Sequence, residues 1–333
     1  MARKNNRPIT KFCNHCDTEF TTADTRKIYC NSICKESQKQ VLRHNKALAK
    51  KAERLKSKEA LFDKSSFATY LITEVKRGKT VEILAEHTSE SFLELHQLVK
   101  CRNLWDGVKS GKRQGMFELS HIQPAAQKDH IGLLHPKNLV IATKEFNRHR
   151  GSLVPQHAAG AKITKASLNP EYFVDAKTTK AQVLILIKEF LGKAIMDEFY
   201  THARLNLTRM DELLKKLALL GYEPSSNQTA EQLLLTYVKL RSRPVTLFSR
   251  KPKSLDWVLL QELDRFGLES SPYQAILQSF EMAATDSRNE VKTLIRNQVQ
   301  HILHGDFDCE AHLTSNLSKS HGTGVLSVEE SSR

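Results

Sequence analysis

FELSHIQPAAQKDHIGLLHPKNLVIATKEFNRHRG, residues Phe117 to Gly151, decides how the chain is read. Three pieces stand at fixed intervals in it. Ser120, His121 and Ile122 follow the apolar run Met116-Phe117-Glu118-Leu119. Asn138, Leu139, Val140 and Ile141 form a short β-type run. Asn147 comes nine residues after Asn138, with Arg148, His149, Arg150 and Gly151 behind it. The order implied is strand, loop, strand, helix. Gly132 and Pro136 punctuate the loop. Thr143 is placed as the N-cap of a helix carrying Lys144, Asn147 and Arg148.

The pattern resembles the HNH nuclease motif, the ββα-metal fold. In that family a strand ends in a metal ligand followed by the catalytic histidine, and a second strand begins with Asn-Leu. The next helix supplies the last ligand, nine positions beyond that Asn. The resemblance implies that His121 is the general base, that Asn138 braces the loop, and that Asn147 is a metal ligand. The position before the base, often Asp in the family, is Ser120 here. Phosphodiester hydrolysis needs a base for water and a cation on the phosphate and the leaving oxygen. A neutral imidazole can take a proton at physiological pH. A hard ion such as Mg²⁺ or Mn²⁺ prefers oxygen ligands and keeps several waters, so few protein ligands suffice. Glu118 lies two residues before Ser120, on the same face of the strand by alternation, and is a candidate to supply the missing charge. The alternative is a generic hairpin and helix with incidental histidines. The joint match of His121, Asn138-Leu139, the nine-residue step and the basic helix argues against it.

Upstream, Cys13-x2-Cys16-x13-Cys30-x3-Cys34 fits a closed tetrahedral Zn²⁺ site, two ligands from each of two knuckles. Phe12, Phe20, Ile28 and Tyr29 are candidates for the small apolar core of such a unit. Its basic neighbours Arg3, Lys4, Arg7, Lys11, Arg26 and Lys27 suit phosphate contact. Residues 35–62 contain no Gly or Pro and are rich in Ala, Lys, Glu and Leu, which predicts one helix. Val41, Leu48, Leu55 and Phe62 recur every seven residues, but the companion seam position is polar, so no stable coiled coil is expected. This helix is either a solvated linker or a basic arm along a duplex. Residues 63–110 are mixed. Phe92, Leu95, Leu98, Val99 and Leu104 mark a helix packing beneath the core, and Cys101 reads as a buried thiol. The stretch 107–115, with Lys112 and Arg113, is a candidate phosphate-contacting loop. Lys144, Arg148 and Arg150 are further candidate contacts to nucleic acid.

Beyond a connection at 152–165 the chain reads as mostly helical, with apolar stripes in 181–205, 210–222, 231–242, 255–267, 271–286 and 289–305. Those stripes are core. His301 and His304, near Asp306, Asp308 and Cys309, read as a partly exposed helix end. The tail from Leu313 has the composition of a disordered segment.

The net charge of +14 and pI near 9.4 favour a polyanionic partner, most simply nucleic acid such as DNA, although charge alone also fits an anionic membrane surface. No apolar run approaches a membrane span of about 20 residues. The N-terminus has no apolar h-region, which argues against secretion. Cysteines clustered in a chain without an export signal favour metal over disulfides.

The first half as a whole is similar to the NinG-like (Rap-like) recombination nucleases of lambdoid phages, with a four-cysteine unit, a Lys/Arg/Ala/Glu-rich helix and an HNH-like core ending near Pro155. That similarity implies a phage protein in the bacterial cytoplasm, acting on branched or recombination-intermediate DNA. The expected class is therefore α+β, in five parts: a zinc unit at 1–34, a basic helix at 35–62, an HNH domain at 63–165, a helical domain at 166–312 and a disordered tail at 313–333. A single site per chain that cuts both strands suits a homodimer. The competing functions are a non-catalytic nucleic-acid-binding protein with a degenerate HNH fold, and a sequence-specific homing or restriction nuclease.

Overall fold

A computed structural model describes residues 8–109, 112–154, 160–225, 228–241, 249–268 and 289–305. The expected helix at 271–286, Arg3, Lys4, Arg7, Pro155, Asp306, Asp308, Cys309 and the tail lie outside them. The protein is mixed α+β, largely helical, with small two-stranded sheets. It divides into two compact units, Met1–Ala60 and Leu61–Arg333.

In the first unit, β1 (Ile9–Phe12) and β2 (Glu19–Thr22) form an antiparallel hairpin with Phe12 opposite Glu19. The apolar core expected beside the cysteines is not formed: Phe12 and Ile28 are exposed, and Phe20 lies under the Lys27 ammonium. Helix α1 (Ser32–Asp63) follows. Val41 and Leu48 lie exposed on it, as expected for a helix without a coiled-coil seam.

The second unit contains α2 (Ser66–Gly78), α3 (Ser89–Trp105), β3 (Val108–Lys109), β4 (Lys112–Arg113), β5 (Phe117–His121), β6 (His130–Gly132), β7 (Leu139–Thr143), α4 (Lys144–Arg150), β8 (Lys162–Thr164), α5 (Lys180–His202), α6 (Arg209–Ala218), α7 (Ala230–Arg241), α8 (Leu255–Arg265) and α9 (Asn289–Leu303). Local chemistry sets the helix starts. Ser65 caps α2, and Thr88 with Ser91, and Thr179 with Gln182, form reciprocal capping boxes on α3 and α5. Phe62, Phe67, Phe92, His96 and Phe199 interlock from α1, α2, α3 and α5, with Phe92 and Phe199 centroids 4.8 Å apart. Leu104, assigned to this buried stripe, is 48% exposed, and Cys101 is only half-buried.

Strands β5 and β7 pair antiparallel, with Ser120 opposite Val140 and His121 opposite Leu139. The second strand starts one residue later than the sequence implied, because Asn138 closes a 3-10 turn, Pro136–Asn138. Asp106, at the C-terminus of α3, takes the backbone N–H groups of Gly115, Met116 and Phe117 and so anchors the entry to β5. Among the described residues no strand lies beside the other edge of β7. Side chains take its place. Glu262 on α8 accepts from Ile141 N at 3.0 Å, and Gln300 on α9 accepts from Thr143 N at 3.0 Å. Arg265 donates to the carbonyls of Pro136 and Leu139. Leu259, Leu263, Ile295, Val299 and Ile302 then pack with Ile122 and Val140 in one buried cluster. Helices assigned from sequence to a separate segment therefore cover the strand pair.

Glu262 is fully buried and paired with Arg265 at 2.6 Å. Glu262→Ala removes the acceptor for the buried Ile141 N–H and the carboxylate partner of the partly buried Arg265, so we expect a loss of about 2–4 kcal/mol. Urea unfolding measures it; a change under about 1 kcal/mol would contradict this role.

Two imidazoles beside α3, His87 and His96, contribute to the response to acid. Burial first, offset in part by the Leu134 carbonyl, lowers His87 from 6.5 to about 4; burial and then Lys100 lower His96 to about 4. Above about pH 6.5 neither state binds these protons, so there is no effect. Between there and about 4 the unfolded chain takes protons that the folded rings refuse, and stability falls as pH falls. His96→Phe, which keeps a ring against Phe67 and Phe199, should flatten that slope in urea unfolding as a function of pH; an unchanged slope would rule out His96 as a contributor.

Candidate functional site

The cysteine quartet is the simpler of two centres. Cys13 follows β1 and Cys16 closes the turn, where Asp17 N donates to Cys13 O at 2.9 Å and Asp17 adopts φ +52°. Cys34 sits in the first turn of α1, its amide donating to Asn31 Oδ1 at 2.8 Å. The Sγ separations are 3.7 Å for Cys16–Cys30, 3.4 Å for Cys30–Cys34 and 3.6 Å for Cys16–Cys34. A tetrahedron with Zn–S of about 2.3 Å has edges of about 3.8 Å, so the quartet fits a structural zinc ion. Burial opposes ionisation of Cys13, but several backbone amides together outweigh it and draw the thiol down to about 6, whereas the Cys30 thiol and burial push Cys34 up to about 12. Four thiolates this close cannot all ionise without a cation. Among the described residues no other group of three or more Cys, His, Asp or Glu converges in this way.

The second centre lies on β5 and α4. Thr143 caps α4 by accepting from Phe146 N at 3.2 Å, which turns Asn147 toward the strand. Ser120 Oγ and Asn147 Oδ1 are 2.7 Å apart, and Asn147 Nδ2 donates to Glu118 Oε2 at 3.1 Å. Glu118, Ser120 and Asn147 are therefore brought together. Two side chains not assigned to the metal site complete the cluster. Arg150 reaches Ser120 Oγ at 3.3 Å and also bonds the His121 carbonyl. His304, just past α9, places Nε2 2.8 Å from Ser120 Oγ and Nδ1 2.6 Å from Gln300 O.

Both of these residues depart from the sequence expectation. Arg150, assigned to nucleic-acid contact, is buried and turned inward, donating to the carbonyls of Ile122, His121 and Leu153. His304, read as an exposed helix end, is fully buried; burial and then Arg150 push it down to about 3. No local signal marks it, since its partner lies 184 residues away.

His121 stands apart from this cluster. Strand alternation points it to the opposite face from Ser120. Its Nδ1 is 3.1 Å from Arg77 Nη2, and Arg77 is also paired with Glu74. Burial, reinforced by Arg77 and Arg150, holds His121 well below the ordinary imidazole range. Asn138 is fully buried; its Oδ1 accepts from Gln123 N at 2.7 Å and its Nδ2 donates to the carbonyls of Gln123 and Leu133. Gly132 and Gly160 make room for this knot. A Cβ on Gly132 would lie 1.7 Å from Gln123 O, and one on Gly160 2.1 Å from Asn138 Oδ1. Among the surface candidates, Arg113 and Arg148 are exposed and Lys144 is half-buried; the Lys112 side chain is outside the described residues.

For a small divalent ion, neighbouring oxygen ligands lie about 2.9 Å apart, so the Ser120–Asn147 pair fits such an ion in spacing. The carboxylate beside it, Glu118, is engaged by Asn147, and Arg150 brings a positive charge against Ser120. No family model, curated protein or solved structure matches this chain. No helix among the described residues is long and apolar enough to cross a membrane.

Cys13→Ser or Cys34→Ser should release one zinc ion per chain and melt the first unit, because metal binding and folding are one equilibrium in such modules. Elemental analysis of the purified protein checks the premise. Less than about half an equivalent of zinc in the parent would end the assignment.

Proposed function

We propose that this protein is a metal-dependent endonuclease of HNH type acting on DNA. The observation that carries the reading is the contact of Ser120 with Asn147. The motif assigns these two positions to one ion, and they meet at 2.7 Å across 27 residues of sequence. Asn138 supports it as a fully bonded brace under the loop between the strands. Helix α1 carries nine Lys or Arg against four Asp or Glu, a net +5 suited to a duplex backbone. Exposed Arg113 and Arg148 add to it.

In this reading Ser120 and Asn147 hold the divalent ion, Mg²⁺ or Mn²⁺. When bound, it neutralises charge on the phosphate and the leaving oxygen. His121 accepts a proton from water at an imidazole nitrogen, and its low pKa keeps it unprotonated near neutral pH. Arg77 must first leave His121 Nδ1. Half-exposed on α2, it can swing to a phosphate, where its fork suits two oxygens. Arg150 holds the backbone of the site by bonding both Ser120 and the His121 carbonyl.

One observation favours a second reading, a DNA-binding protein without cleavage: His121 and Ser120 point to opposite faces of β5, and Arg77 occupies the base. Plasmid nicking with Mg²⁺ or Mn²⁺ separates the two. Cleavage by the parent and a loss of about 10²–10⁴-fold in rate for His121→Ala, with DNA affinity intact, are expected of the nuclease. If the parent cuts under no metal, or His121→Ala cuts as well as the parent, the binding reading takes over.

Binding is tested separately. Replacing Lys46, Lys50, Lys51 and Arg54 by Gln should reduce the slope of log affinity against log salt by up to about 3–4, roughly 0.9 for each phosphate no longer neutralised. An unchanged slope would make α1 a linker only.

A further inference from the structure

A polar site outside both centres lies on α3. His96 is 8% exposed, with its ring set edge-on to Phe67 and Phe199 at centroid distances of 4.9 and 5.6 Å. Among the described residues neither ring nitrogen has a hydrogen-bond partner, and a buried polar group without one costs stability. The ring is not sealed in. It lines two hollows at once, an inner one of about 220 Å³ and an open groove of about 520 Å³. Lys100, one helical turn further along α3, lines both. Lys100 and Arg204, just past α5 in the open groove, have no carboxylate partner among the described residues. Arg250 borders the inner hollow and donates to the Asn103 carbonyl at 3.2 Å. Among the described residues the exposed Glu94 is the one carboxylate in either lining. Free cations alone would be an ordinary solvated surface. A nearly buried imidazole with no partner, opening between them, is not.

We propose that His96, Lys100, Arg204 and Arg250 bind a phosphate group, carried by a nucleotide or by a nucleic-acid strand. Whatever its protonation state, the ring has at least one N–H to donate to a phosphate oxygen. Three cations around that donor suit an anion with several oxygens and spread charge, and the guanidinium forks match phosphate geometry. A carboxylate, with one charge and two oxygens, would engage only part of the set, and a metal cation would be repelled by it. Asn103, on the wall of the inner hollow, accepts from Arg113 through Oδ1, so a strand bound here also meets that exposed cation. The site uses neither Ser120 nor Asn147 and needs no metal, so it stands whether or not the chain cleaves DNA.

Nitrogen NMR of the histidine rings in the full chain, its cysteine quartet loaded with zinc, tests this independently of cleavage. The His96 signals are those missing from His96→Phe, which keeps a ring against Phe67 and Phe199. Inorganic phosphate, thymidine 5′-monophosphate and a short oligothymidylate are titrated in turn, with chloride holding the ionic strength constant. The His96 nitrogens should shift and saturate with at least one of them. Lys100→Gln combined with Arg204→Gln should raise the concentration needed at least about tenfold, since two charged donors are lost. Thermal melts confirm that each variant is folded, and the paired Gln variant, altered outside the buried core, serves even where His96→Phe does not fold. Saturation by the monophosphate at lower concentration than by the oligonucleotide assigns the site to a free nucleotide, and the reverse order assigns it to a strand. No shift of the His96 nitrogens with any of the three, or a titration that the paired Gln variant leaves unchanged, overturns the proposal and leaves the nuclease reading standing.

Discussion

The outer edge of β7 is buried, and among the described residues its peptide groups have no strand to bond. Everything in the second unit that positions the candidate site depends on how that edge is satisfied. A two-stranded sheet is marginal alone, and an unpartnered buried N–H or C=O costs as much as a lost hydrogen bond. Glu262, Arg265 and Gln300 act as a third strand made of side chains. Their bonds fix α8 and α9 against the strand pair, and the apolar cluster around Val140 and Val299 closes over them. The same docking of α9 brings its end, with His304, onto Ser120.

The second centre is consequently built from two distant parts of the chain. The strands and α4 bring Glu118, Ser120 and Asn147 together, and the Asn138 knot holds the intervening loop through three bonds. Helix α9 adds the imidazole. Arg150 is buried at the junction, and by bonding Ser120 Oγ and the His121 carbonyl it couples the two faces of β5.

Local features were legible from sequence because local chemistry makes them. The strand–loop–strand–helix order, the Thr143 cap, the uninterrupted α1 and the cysteine spacing follow from turn residues, cap residues, helix propensity and ligand geometry. The features missed are tertiary. Arg150 looked like a surface cation because basic residues usually are, and only the fold turns it inward. His304 sat among polar residues at a helix end, a pattern that reads as solvent-exposed. Phe12 and Ile28 looked like a core, yet the hairpin leaves them exposed and the cysteines remain to organise the unit. The separation of His121 from Ser120 by strand alternation was implicit in the pairing but needed the observed register to be seen.

Whether Ser120 and Asn147 face one divalent ion is tested most directly in crystals of the full chain soaked in Mn²⁺ and measured at a wavelength where manganese scatters anomalously. A peak within bonding distance of Asn147 Oδ1 and Ser120 Oγ is the predicted result. Ordered Ser120 and Asn147 side chains bonded only to each other and to their protein neighbours, with no anomalous peak between them at saturating Mn²⁺, would contradict it.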